Sequence, residues 1–380
     1  MNSEQAIRLS EAITYEQAVK FFYEMNMEEI FRIASMLRNI FKGNVISYSR
    51  KIFIPITTLC KDNCLYCIYK KEPDKGGRYL ELDEIIDITK RGLELGCTEA
   101  LLITGERPEI KYAEARNFLK NKNVSSTVEW LYNVSEILLE LGILTHANAG
   151  LLTSHEMEKL KKYNASLGLM LENTSERLMQ KGMPHEFSPS KNPKLRIKVI
   201  EEAGKLKIPF TTGILLGIGE TPEEAIRSLF VIRAIHEKYG HIQEVIIQPF
   251  IPKKGTAMES FSPPSERYFL KFLALSRIVL GDMNLQAPPN LYLKVRQLIK
   301  AGVNDLGGIS PLTIDYVNPE KPWPHIEFIR KELARDGFVL KQRLPVYPEY
   351  LNKNGFLSDE VKKIALNLVD ENGYVVEKSL

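Results

Sequence analysis

Residues 52–67 read IFIPITTLCKDNCLYC, and this stretch indicates more than any other about the fold and the chemistry that we expect of the chain. Its first half, Ile52–Thr58, is rich in β-branched residues, which favours a buried strand. Three cysteines follow at the spacing C-x3-C-x2-C, namely Cys60, Cys64 and Cys67. Three thiolates on one short loop can each bind one iron of a cubane iron–sulfur cluster and leave the fourth iron without a protein ligand. The stretch therefore predicts a strand followed by a cluster with one open coordination position, where a second molecule can bind.

Two other uses of clustered cysteines remain as alternatives. A structural zinc site needs four ligands, and no fourth Cys or His lies nearby in the sequence. Bacterial ferredoxins, which only transfer electrons, also contain C-x2-C spacing. The remaining cysteine, Cys97, stands alone and is interpreted as a buried structural thiol. Four cysteines in 380 residues argue against a disulfide scaffold and for a reducing compartment.

Short apolar runs alternate with amphipathic helical patterns along most of the chain. Seven candidate strands follow the first one: Ala100–Thr104, Ile143–Ala147, Ser166–Leu171, Phe210–Leu216, Glu244–Gln248, Asn284–Ala287 and Leu306–Ser310. Repeated strand–helix alternation requires parallel strands with right-handed crossovers. Eight such units predict an α/β fold, a (β/α)8 TIM-type barrel whose site lies at the carboxyl ends of the strands. An open doubly wound sheet is the alternative.

The helical patterns contain recognisable start and stop signals. Asp83–Leu95 is followed by Gly96, a typical residue after the last turn of a helix. Lys194–Lys205 has an apolar stripe at helical spacing. Thr221 precedes Pro222 and Glu224, which together predict a capped helix start. We divide the chain into a helical segment at residues 1–45, the barrel at residues 46–320 and a C-terminal extension at residues 321–380 that packs on the barrel, with a helix near Ser358–Val369.

The composition excludes several classes of protein. The formal net charge is only +3 among 51 basic and 48 acidic side chains, which provides no case for binding nucleic acid or an anionic membrane surface. The chain contains no apolar stretch long enough to span a membrane, and its first residues do not resemble a secretory signal. We therefore expect a cytoplasmic protein that acts on a small molecule.

C-x3-C-x-aromatic-C after the first strand of a barrel resembles the radical S-adenosylmethionine (SAM) superfamily. The resemblance implies a [4Fe-4S] cluster held by Cys60, Cys64 and Cys67, with SAM bound at the open iron. One electron from the cluster would then cleave SAM to methionine and a 5′-deoxyadenosyl radical. By the same resemblance Tyr66 would pack against the adenine of SAM.

Three further strand ends resemble SAM-binding motifs of this superfamily. Thr104-Gly105-Glu106 stands where the superfamily has G-G-E at the amino end of SAM, although Thr104 replaces the first glycine. Glu172, at the end of the fourth run, would accept hydrogen bonds from the ribose. The segment Gly213–Glu220 resembles the G-x-I-x-G-x-x-E motif at the adenine, where glycines let the backbone approach a planar ligand. Its three glycines are Gly213, Gly217 and Gly219.

Within the superfamily, the chain resembles the deazaflavin branch and above all the family of subunit 1 of 7,8-didemethyl-8-hydroxy-5-deazariboflavin (FO) synthase. The resemblance covers residues 45–350 and includes YSRKIFIP at 48–55, TGERPE at 104–109, HANAG at 146–150, GHIQEV at 240–245, GGISP at 307–311, DYVNP at 315–319 and LPVYPEY at 344–350. It implies a radical SAM lyase in deazaflavin coenzyme biosynthesis. The radical would attack the 5-amino-5-(4-hydroxybenzyl)-6-(D-ribitylimino)-5,6-dihydrouracil adduct, and FO would form with loss of ammonia. FO synthase subunit 2 would make the adduct, and a ferredoxin- or flavodoxin-type protein would donate the electron.

Polar residues near strand ends are candidates for contacts with that substrate. His146 is a candidate acid or base, because histidine titrates near neutrality. Candidates for positioning the ribityl chain, the uracil and the phenol are Asn148, Gln248, Asn290, Asn304, Asp305 and Asp315. For each of them an ordinary hydrogen-bonded loop residue is the alternative.

Two alternative functions stay open at this point. The first uses the same scaffold for another reaction, either that of the partner subunit, which joins tyrosine to the ribityl-aminouracil, or that of a related menaquinone-pathway enzyme. The second is a non-catalytic iron–sulfur or zinc-binding interaction protein.

Overall fold

Nine parallel strands form one sheet in the computed structural model, which describes residues 2–376. They are β1 Val45–Thr57, β2 Glu99–Thr104, β3 Leu144–Asn148, β4 Asn164–Gly168, β5 Phe210–Leu216, β6 Ile242–Pro249, β7 Leu285–Gln286, β8 Asp305–Ile309 and β9 Val339–Gln342. The strands follow one another around the sheet from β2 to β8, β1 comes next, and β1 also pairs with β2. This last pairing closes an eight-stranded barrel, so the alternative of an open sheet is wrong.

The first strand is unusually long because it serves three neighbours. Its first residues pair with β8 and with β9, and its second half, from Lys51 to Thr57, pairs with β2. The ninth strand, β9, was not predicted. It has only four residues, and Val339 at its start is 42% exposed, so no run of buried apolar residues marks it in the sequence. Its pairing with β1 depends on tertiary contact rather than on a local signal.

Fifteen α-helices alternate with or flank the strands of the described residues. They are α1 Ser3–Ala12, α2 Tyr15–Glu24, α3 Met27–Lys42, α4 Leu82–Glu94, α5 Pro108–Lys111, α6 Ala113–Asn121, α7 Thr127–Glu140, α8 Ser154–Lys161, α9 Pro193–Lys205, α10 Pro222–Tyr239, α11 Glu266–Leu280, α12 Val295–Lys300, α13 Ile326–Ala334, α14 Pro348–Leu351 and α15 Asp359–Leu368. Short 3-10 helices cover Pro73–Lys75, Glu176–Met179 and Pro189–Lys191. None of these helices is long and apolar enough to cross a membrane.

The predicted helix signals act as expected. Gly96 follows α4 with φ +73°, in the left-handed region that glycine adopts easily. The Thr221 side chain accepts the backbone N–H of Glu224, whose own side chain accepts from Thr221 N–H, so the capping box at α10 is complete. Cys97 is 2% exposed within the main apolar core, which confirms it as a buried thiol.

The chain after β9 covers the amino ends of the strands. Following β9, Arg343 reaches Asp305 at the start of β8 and Glu244 near the start of β6. Residues 344–365 then form a second apolar core with α7, β3 and β4. The barrel is therefore closed at its amino end, and its carboxyl end remains for the cluster loop.

Candidate functional site

The three cysteines lie on a loop that directly follows β1 at the carboxyl end of the barrel. Backbone hydrogen bonds hold this loop on two sides. Lys61 N–H donates to the carbonyl of Glu106 after β2, at 2.9 Å, and Leu65 N–H donates to the carbonyl of Pro184, at 3.0 Å. Cys60, Cys64 and Cys67 are all partly buried. The strand and these two anchors therefore place the thiols at the mouth of the barrel.

The three thiols are candidates for binding a cluster through one iron each. Within residues 2–376, no group of three His, Cys, Asp or Glu side chains converges as the ligands of one metal ion do. A cubane does not require such convergence, because each thiolate binds a different iron. Burial raises the pKa of Cys60 to about 12 and also raises the pKa of Cys67. Bound iron would have to compensate for this burial, since the thiolate is the ligand.

Thr104, Gly105 and Glu106 lie beside the cluster loop, at the end of β2. The backbone N–H of Glu106 donates to Cys60 Sγ at 3.2 Å. Gly105 has no room for a side chain, since a Cβ there would lie 2.0 Å from the carbonyl oxygen of Leu59. Burial raises the pKa of the Glu106 carboxyl. Thr104 Oγ1 is buried and has no hydrogen-bond partner among residues 2–376, so it is available to a ligand.

A second buried carboxylate, not recognised from the sequence, lies on the cluster loop itself. Asp62 is 3% exposed, and one of its oxygens accepts from the Ser190 hydroxyl. Its other oxygen, Oδ1, is buried and finds no partner in the described part of the chain. Arg196 lies nearby and is anchored by the carbonyls of Ser190 and Met170. Buried carboxylate oxygens without partners are suited to an ammonium group such as the amino end of SAM.

Glu172 follows β4 and is the predicted ribose contact. Its backbone has φ +63°, a left-handed conformation that is uncommon for a residue with a side chain. It is held there because its N–H donates to Gly213 on β5 and its carbonyl accepts from Leu215. Its carboxylate forms an ion pair with Lys191, and both side chains are at most 15% exposed. Lys191 had no sequence signal, since it lies in a stretch without periodic pattern.

Tyr66 lies close to this ion pair. Its hydroxyl is 3.0 Å from His185 Nε2, and Lys191 Nζ lies 6.0 Å from the centre of its ring. Burial lowers the pKa of His185 to about 2, so this histidine is neutral. The aromatic ring is thus fixed beside the ion pair of Glu172 and Lys191. This position is compatible with the predicted adenine contact.

The three glycines of the Gly213–Glu220 segment have different structural surroundings. Gly213 is required by strand packing, since a Cβ there would lie 2.2 Å from the carbonyl oxygen of Ile246. Gly217 and Gly219 have φ +90° and φ +111°, and a Cβ at Gly219 would make only an ordinary contact, 3.5 Å from Met183 Cε. The Glu220 carboxylate accepts from Gly217 N–H and Ile218 N–H, so it shapes the loop from within. Of the three glycines, Gly219 is the least crowded by its neighbours.

Three of the predicted substrate residues line the interior of the barrel. His146 is 7% exposed on β3, and its Nδ1 lies 2.6 Å from Ser166 Oγ on β4. Asn148, at the end of β3, and Gln248, near the end of β6, are partly buried, and their side chains have no hydrogen-bond partner within the described part of the chain. Their amides remain available for a bound molecule.

Asn290 and Asp315 meet in the loops that follow β7 and β8. Asn290 Nδ2 donates to Asp315 Oδ2 at 2.9 Å, and Asn290 Oδ1 is buried without a partner among the residues that the structure describes. The other Asp315 oxygen accepts from the backbone of Val317 and Asn318. Asp315 therefore shapes its own loop, and Asn290 presents the available oxygen.

Asn304 and Asp305 lie at the other end of the barrel, which argues against their predicted contact with substrate. Both are at the amino end of β8 and are at most 4% exposed. Asn304 Oδ1 accepts from Arg277 and Asp305 is bound by Arg343. Residues before a strand lie at the amino end of the sheet, whereas the cluster loop follows the carboxyl end of β1.

Lys51 and Glu99 form a charged pair inside the barrel that sequence reasoning missed. Lys51 Nζ lies 2.6 Å from Glu99 Oε1, and the two residues are 8% and 1% exposed. Charged residues inside strand-like segments were the available signal, because such residues are rarely buried without a role. The pair lies near His146, whose pKa is lowered to about 4 by burial.

Comparison with known proteins defines the class first. Residues 54–232 match the model of the radical SAM superfamily. Among solved structures, the chain is similar to the FeFe-hydrogenase maturase HydG from Carboxydothermus hydrogenoformans, with TM-score 0.73, 20% identity and coverage of 95% of this chain and 86% of that one. It is also similar to methylornithine synthase, with TM-score 0.69, 20% identity and coverage of 89% and 97%. These two similarities support the fold alone.

Curated relatives then define the family. The chain is 45% identical over 367 residues to the 7,8-didemethyl-8-hydroxy-5-deazariboflavin synthase of Methanocaldococcus jannaschii, covering 96% of this chain and all of the relative. It is 45% identical over 333 residues to the synthase of the same name from Methanopyrus kandleri, covering 87% and 99%. The chain therefore belongs to the 7,8-didemethyl-8-hydroxy-5-deazariboflavin synthase family. The FO synthase of Mycobacterium tuberculosis is 46% identical over 316 residues, which are 80% of this chain but 37% of that protein.

Proposed function

We propose that the chain is subunit 1 of FO synthase, a radical SAM lyase that forms FO from the tyrosine-derived ribityl-uracil adduct with release of ammonia. The observation that carries this proposal is the 45% identity, over 96% of the chain, to the 7,8-didemethyl-8-hydroxy-5-deazariboflavin synthase of Methanocaldococcus jannaschii. The geometry supports it, because the cysteine loop opens onto a barrel interior where several polar side chains have no hydrogen-bond partner within the described residues.

Cys60, Cys64 and Cys67 would hold a [4Fe-4S] cluster at the mouth of the barrel. When bound, the cluster and SAM supply a 5′-deoxyadenosyl radical for hydrogen abstraction. Asp62 Oδ1 and Thr104 Oγ1 are the buried groups available to the amino end of SAM. Their burial keeps water from competing for these contacts.

The remaining SAM contacts would come from the residues beyond β4. Glu172 can accept from ribose hydroxyls while Lys191 balances its charge. Tyr66 and Gly219 would border the adenine, since the ring is fixed by His185 and Gly219 is the least crowded glycine of its segment.

The interior of the barrel would orient the substrate. Asn148 and Gln248 offer both donors and acceptors to the uracil edge and the ribityl hydroxyls. Asn290 Oδ1 and Gln286 Oε1 are buried acceptors for which residues 2–376 provide no donor. His146 Nε2 faces the interior and can accept a proton during ring closure.

A separate protein would supply the adduct, and a low-potential ferredoxin or flavodoxin would supply the electron. The larger mycobacterial FO synthase supports the first point, since the match to this chain covers only 37% of it. The remainder of that protein is available for another step.

The test is an anaerobic assay of the reconstituted protein with SAM, a reductant and the adduct. We expect fluorescent FO and 5′-deoxyadenosine from the wild type and from Cys97→Ala, and neither product from Cys60→Ala. Absence of both products from the cluster-loaded wild type would refute the proposal. Adduct formation from tyrosine and the ribityl-aminouracil by this chain alone would favour the reaction of the partner subunit.

A further inference from the structure

Two hydrogen bonds inside the barrel connect His146, Ser166 and the backbone of Pro345 into one network. His146 Nδ1 lies 2.6 Å from Ser166 Oγ, and Ser166 Oγ lies 2.7 Å from the carbonyl oxygen of Pro345. His146 belongs to β3 and Ser166 to β4, whereas Pro345 belongs to the segment that follows β9. Three parts of the polypeptide thus meet in one hydrogen-bond network that ends at the His146 imidazole.

The positions of the hydrogens in this network follow from counting its donors and acceptors. A carbonyl oxygen only accepts, and a serine hydroxyl has one hydrogen to donate. Ser166 must therefore donate to Pro345, because two oxygens at 2.7 Å without a hydrogen between them would repel each other. The hydroxyl oxygen is then left to accept from His146, so Nδ1 carries the hydrogen.

The protonation state of Nε2 follows from that of Nδ1. Burial lowers the pKa of His146 to about 4, so the ring is neutral near pH 7 and holds one hydrogen. With that hydrogen on Nδ1, Nε2 has a free lone pair. No hydrogen-bond partner of Nε2 occurs among residues 2–376.

Gly168 leaves space in front of this lone pair. It lies on β4, two residues after Ser166, and a Cβ at this position would lie 2.6 Å from His146 Nε2. A side chain of any size would cover the nitrogen. The glycine thus opens Nε2 toward the interior of the barrel.

The Pro345 carbonyl is itself held in place. Gln243 Nε2 donates to the same oxygen at 2.9 Å, and Gln243 Oε1 accepts from Tyr347 N–H at 3.1 Å. Arg343, two residues before Pro345, is anchored by Asp305 and Glu244. The Pro345 carbonyl, which is the last acceptor of the network, is therefore rigid.

We propose that Ser166 and the Pro345 carbonyl are positioning groups that keep His146 as the Nδ1–H tautomer, so that Nε2 accepts a proton from an N–H or O–H group of the substrate. In that step the Nε2 lone pair forms the new N–H bond and the electrons of the broken bond stay on the substrate atom. The Glu99 carboxylate attracts the resulting imidazolium, and Lys51 and Arg343 oppose it. The role of His146 as proton acceptor rests on the proposed function, whereas the tautomer does not.

The test is nitrogen-15 NMR of the histidine rings in the reconstituted protein, with the His146 signals assigned by their loss in His146→Gln. Ring nitrogens with and without a hydrogen give well-separated signals. We expect Nδ1 to carry the hydrogen in the wild type. In Ser166→Ala the Nδ1 donor has no acceptor, so we expect the Nε2–H form to appear and the rate of FO formation to fall on the order of 100-fold. The KM for SAM should not change.

Two further variants separate positioning from general packing. Ser166→Thr keeps the hydroxyl and should keep both the tautomer and most of the activity. Ser276→Ala removes another buried hydroxyl, which donates to Phe272 on α11, and should alter neither. A wild-type His146 with its hydrogen on Nε2 would overturn the inference even if Ser166→Ala failed to fold. An Nδ1–H ring in a protein that makes no FO would leave the tautomer standing and reject the proposed function.

Discussion

Replacing Arg343 by Met should be among the most destabilising single changes in the protein. The Arg343 guanidinium lies 2.6 and 3.0 Å from the two Asp305 oxygens and 2.9 Å from a Glu244 oxygen. All three side chains are at most 8% exposed. Met has a similar length but no charge, so Arg343→Met leaves two buried carboxylates without their counter-ion.

The expected loss follows from that burial. Removing one partner of a buried ion pair costs about 3–5 kcal/mol, whereas an exposed pair contributes about 0–1 kcal/mol. Arg296 and Asp336 form the matched exposed pair, with the same two-point geometry at 2.7 and 2.6 Å. Arg296→Met should therefore cost at most about 1 kcal/mol.

Urea unfolding of both variants, followed by circular dichroism under anaerobic conditions, measures the two losses. The loss in Arg343→Met should also depend on pH. Burial raises the pKa of Glu244 already in the wild type, and removal of the cation raises it further. A carboxyl with a raised folded-state pKa destabilises the protein as pH rises above its unfolded pKa, so the deficit should be smaller at pH 5 than at pH 8. Equal losses in the two variants, or a deficit that grows at low pH, would refute the reasoning.

Three other changes test the cluster loop and the SAM site. Cys67→Ala should abolish the cluster signal in electron paramagnetic resonance and SAM cleavage, whereas Cys97→Ala should cost only about 1 kcal/mol of stability. Gly105→Ala places a Cβ 2.0 Å from a backbone oxygen of the cluster loop, so SAM cleavage should fall on the order of 100-fold, and an unchanged rate would contradict the predicted displacement. Lys191→Met removes a buried counter-ion and should raise the KM for SAM roughly tenfold in the SAM-cleavage assay. Lys194→Met is its control, since that side chain is 78% exposed, and an equal KM in both variants would argue against a SAM contact.

Much of the barrel could be predicted because strand and helix signals are local. Every predicted run overlaps one of β1 to β8, and the caps at Gly96 and Thr221 depend on neighbours a few residues away. The fourth run was placed too far along the chain, since β4 ends at Gly168 and the backbone then turns through Glu172 toward β5. A strand pattern does not show where pairing with a neighbour stops.

The site was only partly visible for the same reason. Cys60, Cys64 and Cys67 are close in sequence, so their spacing alone indicates shared chemistry. Asp62 and Lys191 carry no such pattern, and they become candidates only because their side chains are buried beside the cluster loop and Glu172.

From the amino-acid sequence alone we could predict the alternation of strands and helices, the cysteine loop and the family, because each depends on residue types at short spacings. The tertiary structure decided which side chains meet. It placed Asp305 at the closed end of the barrel with Arg343, and it brought Pro345 to Ser166, which lies 179 residues earlier. Partners so far apart leave no periodic signal, since only the closed barrel brings them within hydrogen-bonding distance.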